Sequence, residues 1–242
     1  MKRRIITTAD GSTTIQIEDW NEQYHSLHGA IQEAKHVFIK HGLHCFNQEY
    51  FSSVTSSAVE KSQSQISILE IGFGTGLNAF ITLLEAEKLQ KHIHYVGVEA
   101  YPVSSEEIAA LNYVQQLQAE SHTDFFHQMH AIPWETEQDI TPFFTLTKQQ
   151  KLFTEIADKA AFDLIYFDAF GARVQPELWT EDIFKIMFDA LKPNGVLVTY
   201  AAKGSVRRAM LSVGFNVEKL QGPPGKREML RARKGSEHSA NL

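Results

Sequence analysis

The sequence predicts an α/β domain built on a mostly parallel sheet, preceded by a β-hairpin and a helix. Three observations lead to this fold class. From residue 66 onward, short apolar runs alternate with amphipathic stretches, which is the pattern of a parallel sheet covered by helices on both faces. The first apolar run ends in the glycine-rich loop GFGTG at 72–76. Residues before 60 lack this alternation, so they are expected to form a separate extension.

The N-terminal extension is expected to begin with a β-hairpin. β-branched residues at 5–8 and 13–18 flank an Asp-Gly turn, which is typical of a tight connection between antiparallel strands. Apolar residues at helical spacing then predict a helix within 21–45, with Gly42 as its stop.

Seven strands and four helices are expected in the main domain. The strands are predicted at 66–71, 93–100, 123–130, 162–170, 196–201, 215–220 and 227–233. The helices are predicted at 77–90, 105–118, 177–191 and 203–213. The stretch 142–160 has mixed character and is expected to include helix.

These patterns set the expected domain boundaries. The serine- and glutamine-rich stretch 52–65 is the best linker candidate. We therefore expect an extension at 1–60 that could act as a lid, a main domain at 61–234 and a flexible tail at 235–242.

Composition limits the class of protein. The chain has 242 residues, of which 43% are hydrophobic, enough for one large domain with a full core. No apolar run approaches the roughly 20 residues that span a bilayer, and the basic N-terminus lacks the apolar stretch of a signal peptide. A cytoplasmic protein without membrane contact is expected. Cys45 is the only cysteine, which excludes an intrachain disulfide and a cysteine metal cluster.

The net charge of −6 is unevenly distributed along the chain. Nine lysines and arginines but only two acidic residues lie within 201–234, although the chain as a whole is acidic. Such a basic segment can contact phosphate groups locally, and a solvated basic surface is the alternative interpretation.

The spacing of the glycines limits the classes of ligand that the loop can bind. Dinucleotide-binding enzymes use G-x-G-x-x-G and P-loops end in Gly-Lys-Ser/Thr, whereas Gly72, Gly74 and Gly76 give G-x-G-x-G. Glu70 would repel a pyrophosphate and suits a ligand that carries an ammonium group. Glu99, at the end of the second strand, can accept hydrogen bonds from both hydroxyls of a ribose.

S-adenosyl-L-methionine has these features, because it carries an ammonium group and a ribose but no phosphate. The predicted fold is therefore a class I (Rossmann-like) S-adenosylmethionine-dependent methyltransferase, with a seven-stranded mostly parallel sheet and an N-terminal β-hairpin/helix extension. Phe73, Asn78 and Asp168 complete the expected cofactor site. A plain strand turn with a chance acid and a nicotinamide enzyme are the alternatives.

A second acid marks the expected reaction centre. The strand at 162–170 ends with Asp168, Ala169 and Phe170, and the end of the fourth strand of such a sheet lies beside the cofactor, where the acceptor must sit. Asp168 could orient an amine acceptor or take its proton. The alternative is that Asp168 only caps the following loop or helix.

Five stretches of the chain carry a specific resemblance: NEQYHSLHGAIQEAKHVFI, LEIGFGTGLN, FDAF with PELW, VLVTYAAKGSVRRAM and GPPGKREM. Together they resemble the methyltransferase domain of the bacterial bifunctional enzyme that completes 5-methylaminomethyl-2-thiouridine at the tRNA wobble position. Stand-alone forms of that domain exist. The resemblance implies methyl transfer from S-adenosyl-L-methionine to the amine of 5-aminomethyl(-2-thio)uridine. It implies roles for Gly72, Gly74 and Gly76 in the cofactor loop, for Glu99 at the ribose and for Asp168 at the amine.

The anticodon loop of tRNA is then the expected partner. Tyr24 is expected near the ligand on a lid, with a helix cap as the alternative. Phe170 and Tyr200 could stack on an extruded uridine, and core packing is the alternative for both. Phosphate contacts are expected from the basic C-terminal segment, namely from Lys203, Arg207, Arg208, Lys226 and Arg227.

No metal site and no flavin domain are expected. His25, His28, His41 and His44 have spacings that suit zinc poorly without cysteines. No second dinucleotide fingerprint is present, so the chain is expected to need an aminomethyl group that is already free. Two alternatives remain open: an N-methyltransferase or aminopropyltransferase-like enzyme acting on a small amine, and a module that binds S-adenosyl-L-methionine without catalysis.

Overall fold

A small antiparallel sheet forms the start of the chain. The computed structural model describes residues 2–48 and 65–236. The small sheet consists of β1 (Arg3–Thr7), β2 (Thr13–Ile17) and β3 (Glu22–Gln23). Strands β1 and β2 pair antiparallel from Arg3 opposite Ile17 to Thr7 opposite Thr13, which confirms the predicted hairpin.

The main sheet has eight strands. These are β4 (Gln65–Ile71), β5 (His92–Val98), β6 (Glu137–Thr141), β7 (Phe144–Gln149), β8 (Phe162–Phe167), β9 (Leu191–Thr199), β10 (Asn216–Gln221) and β11 (Glu228–Arg233). Their spatial order is β10-β11-β9-β8-β4-β5-β7-β6. The five central strands from β9 to β7 run parallel, and β6 and β11 are antiparallel to their neighbours. The predicted mostly parallel α/β fold is confirmed.

Helices cover both faces of this sheet. They are α1 (Ala30–Ala34, continued by π-helical turns over Lys35–His44), α2 (Leu77–Leu89), α3 (Ser105–Ala109), α4 (Tyr113–Gln116), α5 (Thr123–Ala131), α6 (Glu181–Ala190) and α7 (Gly204–Ser212). Short 3₁₀ turns occupy Glu18–Trp20, Glu120–His122, Phe153–Glu155 and Pro176–Trp179. The core divides into two apolar clusters. Helices α1, α2 and α5 contribute to one, and α6 and α7 to the other.

The structure has a helix where the third strand is predicted and a strand within the mixed stretch 142–160. Residues 123–130 form most of helix α5, because Phe126 and Met129 are three apart and both turn into the core. Phe144 and Leu146 alternate with threonines and are fully buried, so this stretch forms strand β7 instead. Strand β6 pairs with β7 and raises the predicted count of seven strands to eight.

Gly42 does not end the first helix. The helical turns continue through it, and a side-chain carbon at this position would lie 3.1 Å from Val198 and 3.2 Å from Tyr166. The missing side chain therefore lets the helix lie close against β8 and β9.

The turn of the hairpin also holds the first helix. Asp10 accepts hydrogen bonds through Oδ1 from the backbone N–H of Ser12 at 3.1 Å and through Oδ2 from that of Gln32 at 3.0 Å. Because Gln32 lies in the first turn of α1, Asp10 satisfies a backbone donor that the helix leaves free.

The predicted linker 52–65 falls almost wholly outside the described residues, as does the predicted tail from residue 237 onward. The domain boundaries at 60 and 234 stay predictions. Across residues 2–48 and 65–236, no helix is both long and apolar enough to cross a membrane.

Hydrogen bonds join the carboxyl ends of the three central strands. The backbone N–H groups of Gly72 and Phe73 donate to the Val98 carbonyl at 3.0 and 3.1 Å, and that of Asp168 donates to the Ile71 carbonyl at 2.9 Å. The loop after β4 is thus fixed to the ends of β5 and β8.

The Phe73 ring packs directly on Gly97 of β5. A side-chain carbon at Gly97 would lie 2.3 Å from Phe73 Cδ2, and Phe73 is itself only 3% exposed. Gly97 therefore provides the space that the glycine loop needs.

We predict that Gly97→Ala lowers the free energy of unfolding by about 1–3 kcal/mol, because overpacking displaces the Phe73 ring. Gly171→Ala is the matched control, since its nearest atom, Tyr200 Oη, would lie 3.6 Å away in ordinary contact. Urea unfolding followed by tryptophan fluorescence measures both variants. Equal losses of stability in the two would contradict the prediction.

Candidate active site

A cavity of about 570 Å³ lies between the N-terminal extension and the carboxyl ends of β4, β5 and β8. Trp20 and Tyr24 line it from the extension, and Gly72, Glu99 and Asp168 line it from the sheet. A parallel sheet brings the carboxyl ends of its strands to one edge, which is where α/β enzymes bind their ligands. The structure thus brings the two predicted carboxylates, the loop and Tyr24 together.

The first two loop glycines form a bare backbone cradle. A side-chain carbon at Gly72 would lie 2.8 Å from the Asp168 carbonyl oxygen, and one at Gly74 would lie 3.0 Å from the Tyr24 ring. Both residues have positive φ angles, of 89° and 49°. Gly76 is not part of the cavity wall; it is the N-cap residue of helix α2 and packs against His130.

Glu99 joins the glycine loop to the end of β5. Its Oε2 accepts the Gly74 N–H at 3.0 Å, and its Oε1 accepts the Tyr101 N–H at 2.9 Å. Each carboxylate oxygen can accept a further hydrogen bond. Glu99 lines the cavity, so it can bind the hydroxyl groups of a ligand.

Asn78 connects the two other predicted acids. Its side-chain Nδ2 donates to Glu70 Oε1 and to Asp168 Oδ2, both at 2.9 Å. Asn78 lines the cavity, whereas Glu70 is 1% exposed and lies beneath it. Burial raises the pKa of Glu70 well above its usual range. Glu70 therefore supports Asn78 from below, and a direct contact with a ligand's ammonium group stays an untested prediction.

Asp168 has the electrostatics of a base that works near neutral pH. Its pKa is raised from 3.8 to about 7, mainly by removal from bulk water and also by the nearby negative charge of Glu33. The hydrogen bond from Asn78 and the positive charge of Lys226 oppose this shift. A perturbed carboxyl group in a cavity at the end of a central strand is a candidate for proton transfer.

Aromatic rings form another part of the cavity wall. Phe170 meets Tyr24 edge-to-face at 4.9 Å between ring centroids and Trp20 at 5.7 Å. Tyr200 also lines the cavity, and its hydroxyl donates to the Ala169 carbonyl at 2.9 Å. The structure therefore places Tyr24, Phe170 and Tyr200 together in the cavity wall, with Trp20 as an addition. Their contacts with a ligand stay predictions.

Arg173 fastens the extension over the cavity. Its guanidinium pairs with the Glu22 carboxylate at 2.8 Å and donates to the Trp20 and Asn21 carbonyls at 3.1 and 3.2 Å. The loop after β8 and the segment before Tyr24 are joined by these bonds.

Neither the role of Glu33 in the cavity nor its pairing with Lys226 was predicted from the sequence. Glu33 lines the cavity, is 6% exposed, and forms an ion pair with the Lys226 ammonium. The Lys226 ammonium also lies 3.8 Å from the centre of the Tyr200 ring. A signal was available, because Glu33 falls one turn before Val37 on the apolar face of the helix. Arg3, which also lines the cavity, had no comparable signal.

The other predicted phosphate contacts lie on the surface outside the cavity. Lys203, Arg208 and Arg227 are exposed and Arg207 is half-buried. Within the described parts of the chain, none of the four forms an ion pair with an acidic side chain. These four side chains can therefore bind an anion without breaking an ion pair.

The four histidines considered for a metal site are dispersed. His25 hydrogen-bonds Thr14 at 2.9 Å, His28 packs against Gly225, His44 hydrogen-bonds Glu85 at 2.9 Å, and His41 packs on His36. Over residues 2–48 and 65–236, no group of three histidine, cysteine or acidic side chains is placed to hold a metal ion.

A glycine cradle after the first strand, with an acid at the end of the second, defines a class I methyltransferase site on this α/β sheet. Residues 112–235 match a family described as S-adenosyl-L-methionine-dependent methyltransferases. The chain belongs to this family. The predicted cofactor class is confirmed.

Curated relatives resemble most of the chain. Two are named tRNA 5-methylaminomethyl-2-thiouridine biosynthesis bifunctional protein MnmC. The one from Marinomonas sp. is 25% identical over 87% of this chain and 31% of its own length. The one from Leptospira borgpetersenii is 30% identical over 87% of this chain and 32% of its own length. The chain thus spans about a third of the length of these relatives.

Solved structures share the fold. The crystal structure of MNMC2 from Aquifex aeolicus superimposes with a TM-score of 0.74, at 23% identity, covering 97% of this chain and 71% of that one. Spermidine synthase from Thermotoga maritima gives a TM-score of 0.50 at 16% identity, covering 96% and 73%. These likenesses concern the architecture.

The site residues fit S-adenosyl-L-methionine. Gly72 and Gly74 line the cavity without side chains, so a ligand can approach their backbone closely. Glu99 offers acceptors for ribose hydroxyls, and the buried Asn78 Oδ1 has no hydrogen-bond partner among the described residues. A ligand's ammonium group can supply the missing donor.

We predict that Glu99→Gln weakens binding of S-adenosyl-L-homocysteine by about tenfold or more. The amide retains only one acceptor oxygen, so its NH2 group faces the N–H of either Gly74 or Tyr101, and a ribose hydroxyl on that side loses its acceptor. Isothermal titration calorimetry measures the affinity. Glu106→Gln, on the exposed surface, is the matched control and should bind normally. Unchanged affinity in Glu99→Gln would remove Glu99 from the cofactor site.

Proposed function

We propose that the protein transfers a methyl group from S-adenosyl-L-methionine to the amine of 5-aminomethyl(-2-thio)uridine at the wobble position of tRNA. The observation that carries this proposal is Asp168, a carboxyl group with a pKa of about 7 on the floor of an aromatic-walled cavity. The names of the MnmC relatives support the same product. Action on tRNA also supports a cytoplasmic location.

Asp168 has to free the lone pair of the acceptor nitrogen. A primary amine arrives mainly as an ammonium ion near neutral pH and cannot attack a methyl group in that form. The ionised Asp168 accepts the proton, and its raised pKa makes it a stronger base than an ordinary aspartate. Asn78 fixes the orientation of the carboxylate through its 2.9 Å hydrogen bond.

Four residues would hold the cofactor: Gly72 and Gly74 at the cradle, Asn78 at the ammonium end and Glu99 at the ribose. When bound, S-adenosyl-L-methionine supplies an electrophilic methyl group. Phe170, on the acceptor side, would stack on the extruded uracil ring, whereas the Lys226 ammonium covers the face of Tyr200.

The surface charge supports a nucleic-acid acceptor. Lys203, Arg207, Arg208 and Arg227 have no acidic partner among the described residues, so phosphates can bind them without breaking an ion pair. A small-amine N-methyltransferase or an aminopropyltransferase-like enzyme is the second candidate, favoured by the acids Glu33 and Asp168 in the cavity. The basic surface gives no advantage to such a substrate.

We predict that the purified protein adds the mass of one methylene group to 5-aminomethyluridine in tRNA, detected by mass analysis of tRNA nucleosides. Asp168→Ala should retain binding of S-adenosyl-L-homocysteine and lose most of this transfer, because no base remains at the amine. Methylation of free polyamines but not of tRNA would favour the small-amine candidate. Normal turnover by Asp168→Ala would exclude Asp168 as the base.

The same assay at different pH values distinguishes the titration of Asp168 from that of the acceptor amine. Below its pKa, Asp168 is protonated and cannot accept the proton, so kcat/KM should rise with pH and level off above about 7. Asp168→Ala removes this inflection and retains only that of the amine itself. An identical pH profile in the two proteins would contradict the assignment.

We predict that Arg207→Gln combined with Arg208→Gln raises the KM for tRNA and leaves cofactor affinity unchanged. The loss of two phosphate contacts should reduce the salt dependence of tRNA binding by about 1.4–1.8 in the slope of log K against log salt. Lys159→Gln with Lys185→Gln is the control, because it removes the same charge from residues already paired with Asp189. Equal effects of the two double variants would argue against a specific RNA contact.

A further inference from the structure

We propose that Glu33 and the face of the Tyr200 ring form a binding site for the ammonium group of the substrate. In the free protein, the ammonium group of Lys226 fills this site and leaves when the substrate enters. The proposal rests on the amine acceptor proposed above. It adds a site that receives the ammonium ion before Asp168 removes its proton.

The carboxylate of this site is fixed in place. Glu33 Oε1 accepts the Ser26 N–H at 3.2 Å, while Oε2 pairs with Lys226. The Glu33 side chain is only 8% exposed, so its negative charge needs a cation nearby. Because the Ser26 bond is independent of Lys226, the carboxylate keeps its position when the lysine leaves.

The aromatic face is equally well positioned. The Lys226 ammonium lies 3.8 Å from the centre of the Tyr200 ring, within range of a cation–π contact. The Tyr200 hydroxyl is held by the carbonyl of Ala169, the residue that follows Asp168. A carboxylate beside an aromatic face is the chemistry that recognises an alkylammonium ion, and here it adjoins the candidate base.

Lys226 is the exchangeable member of the group. Its side chain is 31% exposed, nearly four times as much as that of Glu33. The flexible four-carbon stem can rotate toward solvent beside the exposed Arg227. An aminomethyl group on a uracil ring presents the same ammonium head as lysine, so the exchange leaves the charge inside the cavity unchanged. The released lysine would then be available for the phosphate contact that the sequence predicts.

Binding of two anticodon stem–loop RNAs tests the proposal without cofactor and without turnover. One RNA carries 5-aminomethyluridine and the other carries the neutral 5-hydroxymethyluridine. The dissociation constant of the hydroxymethyl RNA divided by that of the aminomethyl RNA, both measured by fluorescence anisotropy, isolates the contribution of the ammonium group. Glu33→Gln should lower this ratio about tenfold, to near one, by removing a charge-assisted hydrogen bond.

Lys226→Met distinguishes an exchangeable lysine from a structural one. Without its internal competitor, the site should prefer the aminomethyl RNA more strongly, so the ratio should rise severalfold above that of the wild type. An unchanged or lower ratio in a folded Lys226→Met protein would overturn the proposal. Thermal melting checks folding, because this variant leaves Glu33 unpaired.

A measurement on the wild-type protein keeps the test decisive if Lys226→Met does not fold. The side-chain NMR signal of Lys226 should move away from its ring-shifted position when the aminomethyl RNA is added, and should stay with the hydroxymethyl RNA. No difference between the two RNAs would overturn the proposal. Methyl transfer is scored separately. A normal ratio without transfer would reject the proposed function alone, and transfer with no effect of Glu33→Gln on the ratio would reject this site alone.

Discussion

The two hydrogen bonds donated by Asn78 are the contact on which the rest of the site depends. One amide nitrogen holds Glu70 below the cavity and Asp168 on its floor, each at 2.9 Å. Both donor hydrogens are used, so the orientation of the amide is fixed and its oxygen is left as an acceptor. Asn78 can hold this position because it lies in the first turn of α2, directly after the glycine loop. The loop therefore orients the candidate base as well as providing space for the cofactor.

This arrangement has a cost in stability that follows from the pKa of Asp168. A carboxyl group whose pKa is higher in the folded protein than in the unfolded chain binds more protons when folded, between the two values. Its contribution to stability is complete below 3.8 and is lost as the pH rises to about 7. The ionised form, which is the one that can accept a proton, is thus the less stable one in the folded protein. Such a conflict is expected where function sets the environment of a residue.

The sequence predicted the order of the main elements and the residues that meet at the centre of the site. The sequence signals for the centre of the site were local. A parallel strand that ends in glycines or in an acid places those residues at the same edge of the sheet. Contacts between distant segments left weaker signals. The pairing of Glu33 with Lys226 joins residues 193 positions apart, and no local pattern predicts it. The strand predicted at 123–130 is wrong, because Phe126 and Met129 follow the helical period.

The N-terminal extension contributes functional side chains to the cavity as well as covering it. Asp10 in the hairpin turn caps helix α1, and the next residue after its partner Gln32 is Glu33. The position of the Glu33 carboxylate in the cavity therefore depends on the hairpin. On the other side, Arg173 fastens the segment before Tyr24 to the loop that follows Asp168. The sheet and its loops thus provide the cofactor cradle and the base, whereas the extension provides the Glu33 carboxylate and half of the aromatic wall, Trp20 and Tyr24. In the proposed function an acceptor amine enters between these two parts, and the proposed ammonium site accordingly takes residues from both ends of the chain.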